Sequence, residues 1–246
     1  MRVDVTGRAM TRHRVVSKEE WLEARKALLV KEKAHTRQYD VLCAERRALP
    51  WVRVSKEYVF DAPGGWRTLF DLFEGRSQLI VYHFMLGPGW KEGCVGCSFG
   101  ADHLDGSLVH LAHRDVTLVA ISRAPLPEIE AFRKRMGWRF DWVSSHGSDF
   151  NRDFHVSFTE EDMTNRKVFY NYEMRDFQCE DLPGTSVFCR DEKGDIFHTY
   201  STFARGCESM LGTYMLLDLV PKGRDEAGLT PAMAWVRHHD RYPDVE

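Results

Sequence analysis

Long apolar runs are missing from this chain. None of its 246 residues lie in a stretch near the roughly 18–20 apolar positions that a membrane helix needs, which argues against a helical membrane protein. The opening "MRVDVTGRAMTRHRVV" lacks the apolar centre of a secretory signal, so a cytoplasmic protein is expected. A strong charge of either sign is missing too. The 34 Lys/Arg and 37 Asp/Glu leave a net charge of −3, which argues against a globally basic nucleic-acid binder. Cysteine is scarce: the six stand at 43, 94, 97, 179, 189 and 207. Secreted disulfide scaffolds are far denser, and in a reducing compartment a close pair points to catalysis or metal binding. The chain has no internal repeat and no G-x-S-x-G, P-loop or H-E-x-x-H motif.

What is present alternates between strand and helix patterns. Residues 17–47 contain neither proline nor glycine and open with Ser17 and Glu20 at capping-box spacing, which predicts one or two helices. Residues 1–50 hold 12 Lys/Arg against 7 Asp/Glu. Such a basic helical arm reads as a solvated face, or as a dock for an acidic partner or a second copy of the chain. "WVRVSKEYVF" alternates like a strand, and "APGG" then turns the chain. "QLIVYHFM" (78–85) and "VTLVAIS" (116–122) are continuous apolar runs, as expected of strands buried on both faces. "SFGADHLDGSLVHLAHR" suits a helix weakened by Gly100 and Gly106. "APLPEIEAFRKRMG" has proline at its start and Gly137 at its end, the usual helix asymmetry. "FDWVSS" reads as a third strand and 145–180 as an insertion or long ordered loop. "SVFCRDEKGDIFHTYS" reads as a hairpin and "CESMLGTYMLLDLV" as a helix.

This order is strand, CxxC helix, strand, helix, hairpin, helix. It predicts an α/β, thioredoxin-like fold, with a mixed central sheet flanked by helices. The helical extension is 1–50, the domain 51–225 with its insertion before the hairpin, and the tail 226–246.

"GCVGCS" places Cys94 and Cys97 where strand gives way to helix. Cys97, Ala101, Leu104, Leu108 and Leu111 fall 4, 3, 4 and 3 apart and form one buried stripe. Cys97 therefore points inward. Cys94 lies a turn earlier, exposed beside unpaired helix N–H groups, a location that favours a thiolate. The expectation is an asymmetric dithiol, with Cys94 as nucleophile and Cys97 as resolving thiol. A copper or zinc site of Cys94, Cys97 and His83 is the alternative, since no second close cysteine pair completes a Cys₄ site. Its rival is a core role for His83. His103 and His110 fall off the stripe and are expected in solvent, and Cys189 is expected in the core. Cys179 and Cys207 flank the hairpin and are the better candidates to join the redox cycle. The proline and Thr/Ser that precede a peroxiredoxin's reactive cysteine are absent. Gly87 and Lys91 stand at those places before Cys94, and Trp90 and Cys94 before Cys97.

Seven stretches carry a family resemblance: "SKEEWLEARKALLVKEKAHTR", "LFEGRSQLIVYHFMLGP", "GCVGCS", "SRAPLPEIEAFRKRMGW", "NRDFHVSF", "HTYSTFARG" and "LDLVPKGRDE". Over about residues 15–225 the chain resembles an uncharacterised, mostly bacterial family of thioredoxin-like proteins, described as dithiol–disulfide isomerases. The resemblance implies a thioredoxin-like fold without a settled substrate. Against the wider thioredoxin pattern, Gly93 rather than Trp precedes Cys94, Trp90 lies four residues back, and the pair encloses Val95 and Gly96. Near the cis-proline place stand Pro183, Gly184 and Thr185, with Thr185 at that place. Trp90, Gly93, Pro183, Gly184 and Thr185 are thus the expected groove for a thiol or disulfide substrate, protein or small molecule. A non-enzymatic interaction module, docking through the N-terminal helices, is the third reading.

Overall fold

The computed structural model describes residues 13–177 and 179–243, and expectations that fall on 1–12, 178 and 244–246 lie outside them. It divides into two compact units, Met1–Leu49 and Pro50–Glu246. The first contains one helix, α1 (Lys18–Arg47), where the pattern allowed one or two. Its capping box forms as the spacing predicts. Glu20 N–H donates to Ser17 Oγ and Ser17 N–H to the Glu20 carboxylate, both at 3.1 Å, which satisfies two otherwise orphan donors. Arg46 and Arg47 in the last turn suit the negative end of the helix dipole. No α1 residue is buried, and Trp21, Leu28, Val30 and Leu42 stay exposed.

The second unit is built on an eight-stranded sheet. In chain order its strands are β1 (Val52–Arg53), β2 (Val59–Ala62), β3 (Gly65–Thr68), β4 (Gln78–His83), β5 (Val116–Ser122), β6 (Asp141–Ser144), β9 (Gly184–Arg190) and β10 (Ile196–Phe203). Across the sheet they run β1-β10-β9-β4-β5-β6-β2-β3. The helices are α2 (Val95–Ala101), α3 (Leu108–His113), α4 (Leu126–Met136), α5 (Phe150–Asp153), α6 (Glu160–Thr164) and α7 (Gly212–Leu217). β4, β5 and β6 are parallel, while β9 runs antiparallel to β4 and to β10. A β-α-β unit (β4, α2, β5) and a β-β-α unit (β9, β10, α7) therefore join where β4 pairs with β9. This is a thioredoxin-like fold, a mixed sheet flanked by helices.

β4 decides where the core lies. Ile80, Tyr82 and Phe84 face one apolar cluster, with Cys97, Phe132, Trp138 and Trp142. Leu79 and Val81 face the other, with Phe60, Phe73, Phe150 and Phe188. The period of two along a strand makes this division.

Several local expectations change. "WVRVSKEYVF" splits into β1, at one edge of the sheet, and β2, next to the opposite edge. The helix after the cysteines breaks at residues 102–107 and resumes as α3. The stripe survives the break, because Cys97, Ala101, Leu104, Leu108 and Leu111 all join one cluster. His103 is not solvated. Its Nδ1 is 2.8 Å from the Phe99 carbonyl, and its Nε2 accepts from Thr213 N–H at 3.0 Å, which latches α2 to α7. Residues 145–180 hold α5, α6 and a separate hairpin of β7 (Val168–Tyr170) and β8 (Glu173–Arg175). Cys189 is only half-buried near the end of β9, outside the core clusters.

Candidate active site

The dithiol sits where β4 ends. Phe84 N–H donates to the Ile121 carbonyl at 3.0 Å and Ala124 N–H to Leu86 at 2.9 Å, which pins the outgoing loop to the end of β5. Cys94 N–H donates to the Met85 carbonyl at 2.9 Å and brings the loop back under itself. Gly93 makes the return possible. A Cβ there would lie 2.5 Å from Phe84 Cε1 and 2.7 Å from Phe132 Cε1, so no larger residue fits without moving the core.

Cys94 is the N-cap of α2, and its carbonyl accepts from Ser98 N–H at 2.9 Å. Its side chain is half-buried rather than exposed, while Cys97 is fully buried. The two thiols are driven apart. The Cys97 S–H, then the backbone N–H groups of Cys97 and Gly96, point at the Cys94 sulfur. Together they pull its pKa down to about 6 against the opposing cost of burial. Cys97 moves well up, because its proton is held by Cys94, it is buried, and it faces the Cys94 charge. α2 has only seven residues, so local N–H groups rather than a long helix dipole stabilise the thiolate. One proton is thus shared within the pair and rests on Cys97.

Tyr82 and Thr185 lie side by side at this end of the sheet. They are cross-strand partners of β4 and β9 and share a face. The Tyr82 hydroxyl donates to the Cys97 carbonyl at 3.0 Å. Thr185 Oγ1 lies 3.8 Å from Cys207 Sγ and 3.6 Å from Met210 Sδ, so Thr185 is packed against the segment that follows β10. Pro183 and Gly184 precede it. Tyr170 O–H donates to the Pro183 carbonyl at 2.6 Å, and Gly184 pairs with His83 across the strands. Arg123, just after β5, makes a bidentate pair with buried Asp181 at 2.7 and 2.8 Å, which ties this loop to the dithiol end of the sheet. Trp90 packs against the core cluster that contains Cys97 and Cys94. Burial raises the Cys207 pKa, and burial, with Asp181 and Cys94 adding charge, raises that of Cys179. Neither is a second thiolate at neutral pH.

His83 is not part of this group. It points to the opposite face of the sheet and packs against the Phe150 and Phe154 rings at centroid distances of 5.7 and 6.3 Å. Its Nε2 hydrogen-bonds Ser186 Oγ at 2.8 Å. A Cys94–Cys97–His83 metal site is therefore ruled out by strand alternation. Among the described residues no three His, Cys, Asp or Glu side chains converge to hold a metal.

The residues that sequence reading overlooks come from the tail. Met233, Trp235 and Val236 pack with Val95 and Phe99 of α2, and His238 reaches the Gly93 carbonyl at 3.0 Å. Their stretch has no period to mark it, so only the three-dimensional contact reveals them.

Residues 10–242 match a family model described as "Bacterial protein of unknown function (DUF899)". No curated protein matches. Among solved structures the chain is similar to the peroxidoxin BcpB of Mycobacterium tuberculosis, at 13% identity and TM-score 0.45, over 67% of this chain and 95% of that one. It is similar to a mutant of peroxiredoxin Q from Xanthomonas campestris, at 13% and 0.43, over 64% and 90%. It is also similar to a proposed protein disulfide isomerase of Bacteroides thetaiotaomicron, at 16% and 0.36, over 73% and 98%. Among the described residues no helix is long and apolar enough to cross a membrane.

Proposed function

The chain belongs to the DUF899 family, bacterial proteins of unknown function, and from that premise we propose that it is a thiol–disulfide oxidoreductase with Cys94 as nucleophile and Cys97 as resolving thiol. One observation carries the reading: Cys94 caps α2 half-buried, Cys97 lies buried one turn on, and the two thiols are displaced in opposite directions, Cys94 down and Cys97 up. A pair built only to fill space has no need of that asymmetry, whereas exchange chemistry does.

The steps follow from it. The Cys94 thiolate attacks one sulfur of a disulfide R–S–S–R′, the S–S bond breaks, and R′S⁻ leaves. As the charge on Cys94 disappears into the mixed disulfide, the Cys97 proton loses its acceptor and its thiol ionises more readily. The Cys97 thiolate attacks the Cys94 sulfur and releases RS⁻. Two electrons pass from the dithiol to the substrate, and an external dithiol restores the reduced pair. Stabilising the Cys94 thiolate also stabilises the reduced form, which favours the reverse, oxidising direction to the same degree.

The test joins reactivity to turnover. Alkylation of Cys94 is expected to persist as pH falls to about 6, where an ordinary thiol of pKa about 8.5 is almost unreactive. Dithiothreitol-linked disulfide reduction is expected to vanish in Cys94→Ser, and Cys97→Ser is expected to stall as a mixed disulfide. A Cys94 that titrates like a free thiol, with turnover indifferent to its loss, would sink the proposal.

A further inference from the structure

The C-terminal segment is fastened across the mouth of the dithiol. Residues 231–241 contain two 3₁₀ turns, Ala232–Trp235 and His239–Arg241. Trp235 meets Phe99 of α2 edge to face at 5.7 Å, and Met233 and Val236 extend the same apolar cluster over Val95. Polar anchors hold the segment on both sides of this contact. His238, buried, hydrogen-bonds the Gly93 carbonyl at 3.0 Å, one residue before Cys94. Asp240 accepts from Arg135 of α4 at 2.8 and 2.9 Å. His239 Nδ1 lies 2.6 Å from Asp102 at the end of α2. Trp235 Nε1–H donates to Glu226 at 2.8 Å.

These contacts bring Met233 over the turn that carries the two cysteines. A Cβ placed on Gly96, between the two cysteines, would lie 3.7 Å from Met233 Cε and 3.8 Å from Cys94 Sγ. The methyl and the sulfur thus border the same small space. Cys94 is half-buried. The large cluster that holds Cys97 contains no residue of the segment, so the core beneath the dithiol is complete without it.

We infer that residues 231–241 are the wall of the dithiol site and select its substrate by size, admitting a low-molecular-weight disulfide and turning away one carried on a folded protein. This rests on the dithiol reading above. Exchange needs the attacked and leaving sulfurs nearly in line with Cys94. A folded protein can present its disulfide that way only over a low rim, and Met233 and Trp235 raise the rim on the α2 side. Their apolar surface also favours a small disulfide with an apolar substituent over a charged one.

The experiment reads access to Cys94 directly, so it does not depend on turnover. In a Cys97→Ser background, alkylation by N-ethylmaleimide and by a long polyethylene-glycol maleimide is followed by mass spectrometry of the peptide spanning residues 92–114. The large-to-small rate ratio is expected to lie well below that of an unstructured cysteine peptide. It is expected to rise about tenfold in Trp235→Ala, a change of the size that pocket contacts of this kind control. Asp240→Asn, an exposed change that loosens the segment without touching the cluster, is expected to move it the same way. In the Cys97-containing protein, both substitutions should raise reduction of a protein disulfide relative to a small one. A wild-type ratio equal to that of the free peptide, or one unmoved in both variants, overturns the inference. Loss of the dithiol chemistry itself would appear instead as a Cys94 that titrates normally, whatever the size ratio.

Discussion

On the face of the sheet carrying Tyr82, β4 meets α2, and its hydroxyl supports the carbonyl of Cys97. On the face carrying His83, the same strand meets Phe150, Phe154 and Phe188, and its imidazole is held by Ser186. Two adjacent residues of one strand thus belong to different environments. Both faces hold a buried titratable group, and burial acts on the two in opposite senses. It raises Tyr82 and pushes His83 down to about 3, and in each case it keeps the group neutral. Only on the dithiol side do hydrogen bonds to a sulfur outweigh burial and leave a charge, at Cys94. The comparison teaches that burial alone silences titratable groups here. Reactivity needs donors aimed at the charged form.

The largest expected effect that tests this separation lies on the silent face. Phe150 is fully buried at the centre of its cluster, and Phe150→Ala should cost about 3–5 kcal/mol in denaturant unfolding. The pH profile of Cys94 alkylation should nonetheless stay where it is. A profile shifted towards an ordinary thiol would show that the two faces are coupled.

The next effect is pH-dependent. His83 stays neutral in the folded protein down to about 3, whereas in the unfolded chain it takes up a proton below about 6.5. The unfolded state therefore binds the extra proton between these values. Stability is full above about 6.5 and is lost as pH falls towards 3, with a slope of at most about 1.4 kcal/mol per pH unit from this group. Unfolding free energies measured from pH 7 to 4 for wild type and His83→Gln should differ in slope in that sense. Parallel curves would contradict the environment described for His83.

The smallest effect belongs to the dithiol face. Tyr82→Phe removes the hydroxyl that donates to the Cys97 carbonyl and should destabilise by about 1 kcal/mol. Disulfide exchange should slow only modestly, because the hydrogen bonds to Cys94 remain. A loss of turnover as deep as that of Cys94→Ser would instead make Tyr82 part of the chemistry.

Much of this was legible in the residues. The runs at 78–85 and 116–122 read as buried strands because parallel strands are apolar on both faces. α1 and α4 read correctly because Ser17 with Glu20, and Pro127 with Gly137, are local signals. The asymmetry of Cys94 and Cys97 followed from the 97-101-104-108-111 stripe, which kept its single cluster although the helix beneath it broke. His83 misled as a metal ligand. It is close to the cysteines along the chain, but a one-residue offset on a strand reverses the face. His103 misled as a solvated residue because its partner, Thr213, lies 110 residues away.

The sequence by itself determined the thioredoxin-like order of elements, the dithiol and its inward-facing member. Each of these depends on contacts within a few turns or on a periodic pattern. Only the tertiary structure decided that Cys94 is half-buried, that Thr185 is packed against Cys207, and that residues 231–241 close over α2. Those outcomes depend on segments far apart in the chain, held by single hydrogen bonds and apolar contacts that leave no period in the sequence. The helix start was visible from the first, but the donors that make Cys94 a thiolate, and the tail packed over α2 beside it, needed three dimensions.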